Sequence, residues 1–600
     1  MKVTGSKNSG SVRTTIFTTF GGLDLRRSGS PYSFISMTNM SSSGYPALSP
    51  RSKRAYLELE EEEGSEDKIL GMTCADVMSD GVIRPNALIT VTKNRIFAYY
   101  EVNGTLTRKL LTYISSTYAD TSGKPKQLLV MGSVLYIFPD KRYINLMSAT
   151  DHGFLESKTS LSTGAQDSDG SKFFYEVVAK GCTRDGDDLA SGFSYVKLYR
   201  NKYKQNSEGG KGDFLGTVPI GSGFSSLDGI TVSGFPLRNL NGSYSIETIA
   251  ADNTYIVIPG TVGGTASGGA PVTIARTLPE MDYICSCKNR LWGCRYGNDA
   301  AGNPVNEIYA CALGDAKNWN RYIGVSTDSY AASCGHSGAF TGAMSYDGRP
   351  LFFKEDCIIR VYGDYPAEFT VTESDMRGSQ VGSEKSGAVV HDTLFYKTHS
   401  GIVMYNGGAP VNVDAALGET VYKNAVAGSC GGKYYVSMED TNGIRSLFVY
   451  DVGLKLWHRE DELSVQSFCR CGSNLYMLVS DTRIICVRAD YASSIGTEEE
   501  AVYWSCESGR LDYSEPGKKH VRSLSLCAVL PPSSCMRLQV EYDGSGTWRD
   551  CAFLRGKSTV SSTVTLRPRR CSFFRYRLSG IGDCTLLSLA KQTETLSRKG

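Results

Sequence analysis

The 600-residue chain has no long apolar run; nothing in it approaches the ~18 consecutive apolar residues that a membrane-spanning helix needs. Its first ten residues are polar and lack the apolar core of a secretory signal, so synthesis in a host cytoplasm without export is expected. Charge of one sign is also missing. Lys and Arg number 64 against 62 Asp and Glu, a net +2, which gives no global affinity for nucleic acid or for an anionic membrane. The six histidines, His152, His336, His391, His399, His458 and His520, form no H-x-x-x-H or H-E-x-x-H pair. Eighteen cysteines include no C-x-x-C, and the closest pairs are Cys285/Cys287 and Cys469/Cys471. Within a strand such a pair lies on one face, so reduced, buried structural thiols are expected, with no metal and no cofactor. Neither a G-x-S-x-G elbow nor a phosphate-cradling G-x-x-x-x-G-K-[ST] loop occurs. Together these absences lead to the expectation that the chain is not an enzyme.

What is abundant is Gly, at 64, and Tyr, whose 35 residues outnumber the 22 Phe. Gly supplies tight turns and aromatics suit a half-buried pleated surface, so short strands are expected. A turn followed by an apolar–aromatic strand recurs seven times: at Lys93–Tyr100, Gly132–Phe138, Asn289–Cys294, Gly348–Phe353, Asp392–Tyr396, Gly432–Val436 and Gly472–Leu478. The last four copies start about 40–45 residues apart, the period of propeller blades, each of which needs neighbours to cover its faces. The expected fold is all-β: a β-propeller over 71–149 and 281–500, an inserted small β domain over 150–280, and a C-terminal β-sandwich over 501–592. Residues 1–70, rich in Ser, Thr and Gly, read as an extended arm that orders on neighbouring subunits, and 593–600 as a flexible tail.

Candidate chemistry is sparse. Glu355 and Asp356 are adjacent, so on a strand they point to opposite faces and cannot serve one substrate; a surface turn is the expectation. His391 and His399 flank one strand and read as polar loop residues. Gly260–Gly269 lacks a phosphate-binding lysine and reads as a connector. The acidic run Glu58, Glu60, Glu61, Glu62, Glu63, Glu66 and Asp67 reads first as a solvated loop. Arg567, Arg569 and Arg570 form a basic cluster that either meets an acidic neighbour at a subunit contact or protects a strand edge.

Several segments, in order along the chain, resemble one family. They are Phe20-Gly21-Gly22-Leu23-Asp24, Thr38-Asn39-Met40 and Gly44–Arg51. Asn306–Trp319 follows, with Leu313-Gly314-Asp315 and Asn318-Trp319. Then come Phe340-Thr341-Gly342, Leu351–Asp356, Tyr542-Asp543-Gly544 with Trp548, and the neighbourhood of Arg567–Arg570. This pattern is similar to the tail stabilisation, or nozzle, proteins of short-tailed bacteriophages. The resemblance implies a structural virion protein in the tail or head–tail connection, a homo-oligomeric ring (a hexamer), and portal, adaptor and distal tail or fibre proteins as partners. It also implies a conduit for transient, non-specific passage of DNA. In such a ring Glu60–Glu63, Glu66 and Asp67 would face the channel and repel DNA. The family motif often carries Ser where this chain has Cys311. The alternatives are a propeller-based receptor-binding or glycan-cleaving tail component, and a cytoplasmic scaffold.

Overall fold

Turn chemistry builds the first level of the structure. Lys288 and Asn289 both have positive φ (48° and 57°), as do Asp347 and Gly348 (50° and 64°) and Gly431 and Gly432 (57° and 75°). Two consecutive left-handed residues make the type I′ turn whose twist matches that of the flanking strands. Six of the seven sequence copies sit at the first hairpin of an antiparallel sheet, four-stranded in five cases and five-stranded for the copy at Gly472. The copy at Lys93 sits one hairpin later, because its sheet opens with the long pair Gly71–Ser79 and Val82–Val91.

The computed structural model describes residues 12–26, 32–57, 68–114, 124–161, 175–181, 192–200, 217–235, 237–262, 264–268, 271–480, 483–487, 496–511, 517–566 and 569–595. They fall into two compact units, 117–375 and a second formed by 1–116 with 376–600. The fold is all-β, with propeller blades, an inserted pair of sheets and a sandwich.

In the unit 117–375, three four-stranded blades span 127–154, 283–333 and 342–375. Their first strands, Gln127–Met131, Tyr283–Cys287 and Gly342–Tyr346, neighbour one another in that order, as inner strands of a propeller do. The second strand of each blade is mostly buried (Leu351, Phe352 and Phe353 in the third), because adjacent blades cover both faces. Phe369 packs edge-to-face on both Trp292 and Tyr330, an aromatic cluster between two blades. Between the first two blades the chain makes two sheets that enclose their own core of Val196, Ile220, Ile230, Val232, Ile256 and Ile274.

In the other unit, four blades span 71–113, 388–412, 423–459 and 467–486, the last completed by Ala55–Leu57, which pairs antiparallel with Arg483–Cys486. The sandwich consists of two five-stranded sheets. Val12–Phe17 pairs with Thr585–Thr595 at the margin of one, and Phe34–Thr38 pairs with Tyr503–Ser508 at the margin of the other. Leu524, Leu526, Met536, Leu538, Val540 and Leu578 fill the space between them.

This arrangement corrects the expected arm. Residues 12–26 and 32–57 order on their own chain, giving a strand to each sandwich sheet and one to a blade. The sandwich is therefore not made by 501–592 alone. The physical reason is backbone satisfaction: without these strands, each of three sheets would leave a row of N–H and C=O groups unpaired. The Gly21-Gly22 step lies against the propeller backbone. Leu23 N donates to Trp457 O at 2.6 Å, Leu25 N donates to Ala416 O at 2.7 Å, and a Cβ on Gly22 would lie 2.2 Å from Trp457 O. Ion pairs flank the returning strand. Arg51 forms a two-pronged pair with Glu499 (2.7 and 2.9 Å), and the buried Arg54 bonds Asp461 and Glu460, each at 2.5 Å. Burial works against the Arg54 charge, and the two carboxylates more than offset it, raising its pKa.

Every cysteine among the described residues lacks a disulfide, and most are buried, including Cys285, Cys287, Cys469 and Cys471. Their thiols line blade interfaces beside Phe352 and Tyr476.

Two predictions follow from this packing. Gly22→Ala forces the backbone away from Trp457 and is expected to cost about 1–3 kcal/mol, read as a lowered denaturation midpoint; an unchanged midpoint would show that the contact is not tight. His458, buried beside Trp457 with Nδ1 unbonded among the described residues, has its pKa lowered to about 4, first by burial and then by the Lys433 charge. The unfolded state, with a histidine pKa near 6.5, then binds more protons between pH 6.5 and 4. Stability is expected to fall as pH drops through that window, by up to about 3 kcal/mol. In His458→Gln this acid limb should flatten, as followed by urea midpoints against pH.

Candidate functional site

The segment Asn306–Trp319 begins on a blade strand and ends in a turn dense with buried polar groups. Asn306 Nδ2 donates to the carbonyls of Cys334 and His336 at 2.8 and 2.9 Å, and its Oδ1 accepts from Lys354 Nζ at 2.9 Å. Gly314 takes φ +72°. Asp315 Oδ2 accepts from Asn318 Nδ2 at 2.6 Å and its Oδ1 from Lys317 N at 3.0 Å. Asn318 also donates to Asp228 Oδ1 (3.0 Å) and accepts from Gly229 N (2.8 Å), which ties this turn to the inserted sheets. Asp228 forms a buried ion pair with Arg276, whose Nε donates to Leu155 O at 3.0 Å. Trp319 is buried, and its Nε1 donates to Ala316 O at 2.8 Å.

This knot holds out the loop that follows it. Asp328 Oδ2 accepts from the amides of Ile323, Gly324 and Val325 at 2.7, 2.7 and 3.1 Å, so one carboxylate gathers three consecutive N–H groups. Arg290 bonds the carbonyls of Cys311, Ser326 and Asp328 from within. Fastened this way, the loop turns Tyr322, Ile323 and Val325 to solvent, at 57%, 48% and 45% exposure. Tyr322, Val325, Tyr330, Tyr365 and Pro366 line a depression of about 500 Å³. Apolar and aromatic side chains thus stand out from a loop whose amides are bonded to Asp328 and leave an exposed apolar surface. Burial and the nearby Glu307 push the Tyr322 phenol above its usual range, and its hydroxyl donates to Trp319 O at 3.3 Å. The depression's carboxylate, Asp328, is committed to the loop's own amides.

The predicted site residues that the structure describes lie elsewhere. The acidic run Glu60–Glu63, Glu66 and Asp67 falls outside the described residues, as does Arg567. Arg569 lies over the Tyr542 ring at 5.9 Å, and Arg570 stands opposite His520 in a sandwich sheet; both are exposed. Glu355 and Asp356 occupy the turn between Arg349–Phe353 and Cys357–Tyr362. His391, at φ +52°, is an exposed turn residue, and His399 is also exposed. The contact surface at Tyr322–Val325 was not singled out from sequence. Its signal was the apolar residues Ile323 and Val325 within a loop, directly after the motif ending at Trp319.

No protein-family model matches this chain, and no curated protein matches it in sequence. Among solved structures it is similar to an exo-β-1,3-galactanase from Phanerochaete chrysosporium, with 13% identity over 51% of this chain and 94% of that one and a TM-score of 0.21. It is also similar to PorZ of the type-IX secretion system of Porphyromonas gingivalis (12% identity, 88% and 76%, TM-score 0.25). The endosialidase of phage phi92 is another (9%, 77% and 65%, TM-score 0.23). Likeness at this level goes no further than β architecture. It nevertheless corrects the expectation that the chain is not an enzyme: with glycoside hydrolases among the neighbours, missing sequence motifs do not exclude catalysis, since carboxylates from separate strands leave no local signature.

Asp228→Ala leaves the buried Arg276 unpaired, which is expected to cost about 3–5 kcal/mol. It should also release amide protection at Gly229 and along Asn318–Ser329 in hydrogen-exchange measurements. Protection retained at Gly229 in the variant would show that the knot does not couple the inserted sheets to the turn.

Proposed function

We propose that this chain is a structural component of a bacteriophage tail, assembling as a homo-oligomeric ring beneath the portal and adaptor and extending the DNA conduit. The observation that carries this reading is the use made of the family-like residues. Gly22 seats the N-terminal segment on Trp457, and Asn39 Nδ2 donates to Tyr503 O at 2.8 Å. Arg51 pairs with Glu499, while Asp315 and Asn318 tie the knot at Asp228. The resemblance thus falls on the residues that knit the fold together, which supports descent from a common design. In the ring, Glu60–Glu63, Glu66 and Asp67 would line the channel, and Arg569 and Arg570 would meet an acidic patch on the adjacent subunit.

A second reading rests on the depression at Tyr322 and Tyr365. Exposed tyrosines beside backbone polar groups suit the stacking of a sugar ring, and a tail component that grips or cleaves a host glycan would present such a surface.

Immunogold electron microscopy of gradient-purified particles is expected to place label at the tail or its junction with the head. Particles without label, from cells that contain the protein, would overturn the tail assignment. Glycan-array binding that falls at least 10-fold in Tyr322→Ala and Tyr365→Ala would favour the second reading, and no binding by the intact chain would remove it. The same array, scored for released sugar, reads hydrolysis directly.

A further inference from the structure

Three segments of the unit 117–375 bring metal-ligating atoms together at the outer part of two blades. His336 stands in the loop after Tyr330–Ser333, Cys357 opens the strand Cys357–Tyr362, and Asp375 ends the strand Thr370–Asp375 directly opposite Cys357 in register. The ligand atoms of these three residues lie within 4.8 Å of one another. Asp356, one residue before Cys357, stands beside this group: its Oδ1 is 3.8 Å from His336 Nε2, as is Asp375 Oδ1.

The imidazole is oriented as a ligand. His336 Nδ1 lies 2.8 Å from Ser337 O, and a proton donated there leaves the lone pair on Nε2, facing the carboxylates. The loop carrying the ring is held on every side. Glu373 accepts from the amides of Gly335 and His336 at 2.6 Å each, and His336 O accepts from Asn306 Nδ2 and from Lys354 Nζ. The Lys354 charge is thereby spent on His336 O and Asn306 Oδ1. Cys357 is fully buried, whereas the Asp356 and Asp375 side chains are 78% and 93% exposed. Two anchored ligands and two that swing by rotamer change suit a site that closes on its ion.

We infer that His336, Cys357 and Asp375, with Asp356, form a binding site for a zinc-like divalent cation. Imidazole, thiolate and carboxylate together match the borderline-soft preference of zinc and disfavour calcium or magnesium, which take oxygen ligands alone. Bonds of about 2.0–2.3 Å place tetrahedral ligands about 3.3–3.8 Å apart; the imidazole–carboxylate separations of 3.8 Å already meet this, and the 4.8 Å limit on the group leaves at most about 1 Å of approach to the Cys357 thiol. Bound, the ion clips the loop after Ser333 to the strand ends of the next blade. The spacing arguments that predicted no metal look for ligands on one short segment, and here they come from three.

The test is cobalt titration of the reduced, metal-free full-length chain. One equivalent is expected to give intense tetrahedral d–d bands with a thiolate charge-transfer band, and zinc should displace it. Cys357→Ser should abolish the charge-transfer band, and Asp375→Asn and His336→Ala should each weaken cobalt binding at least 10-fold. Asp375 is exposed, so its variant separates ligation from misfolding. Cys471→Ser, in the other thiol-rich interface, should leave the spectrum unchanged. No tetrahedral signal, a charge-transfer band that survives Cys357→Ser, or one that vanishes in Cys471→Ser overturns the assignment.

Discussion

The structure depends on the closing of sheets whose margins would otherwise be bare. A blade that ends after its third strand, or a sandwich sheet one strand short, exposes a row of backbone donors and acceptors that water satisfies but a neighbouring chain can also capture. Ala55–Leu57, Phe34–Thr38 and Val12–Phe17 supply the missing strands. The Gly22–Trp457 contact fixes the path between them, since only a residue without a side chain lets the two backbones approach to hydrogen-bonding distance. Phe17, Phe20 and Leu23 belong to the same apolar cluster as the sandwich core and the aromatic residues of the blades at 388–459.

Buried charge plays a second role, that of register. Arg54 with Glu460 and Asp461, Arg276 with Asp228, and Arg290 with three carbonyls all sit where segments distant in sequence meet. Such groups add little net stability over apolar replacements, but each demands a particular partner and so rejects misaligned pairings. The loop at Tyr322–Val325 shows the same economy turned outward: polar atoms are consumed inside it, and its apolar side chains face solvent.

How much of this was legible in the sequence follows from the range of the interactions. The blade hairpins were legible because a type I′ turn is written in two adjacent residues, such as Asp347-Gly348, and the following strand in the next five. The inserted sheets stood out by their Gly-rich connectors. The N-terminal strands did not stand out, because Phe34–Thr38 is short, rich in Ser and Thr around it, and finds its partner more than 460 residues away, as Asn39 does at Tyr503. The convergence at His336 was hidden for the same reason: a loop, the start of one strand and the end of another each contribute one residue. Asp328 is legible only once its three amide partners are seen in space.

The long return of the N-terminal strands also orders events in time. Each blade hairpin closes over a few residues and can form as soon as it leaves the ribosome. The strands at 12–57 leave well before their partners at 483–595, so while the residues between them are made they wait unpaired beside half-finished sheets. Completion is therefore late and stepwise, first the blade and then the two sandwich sheets. A truncated or stalled chain lacks the means to cover its own margins, and the cell meets it as exposed strand, open to proteases and to association with other copies.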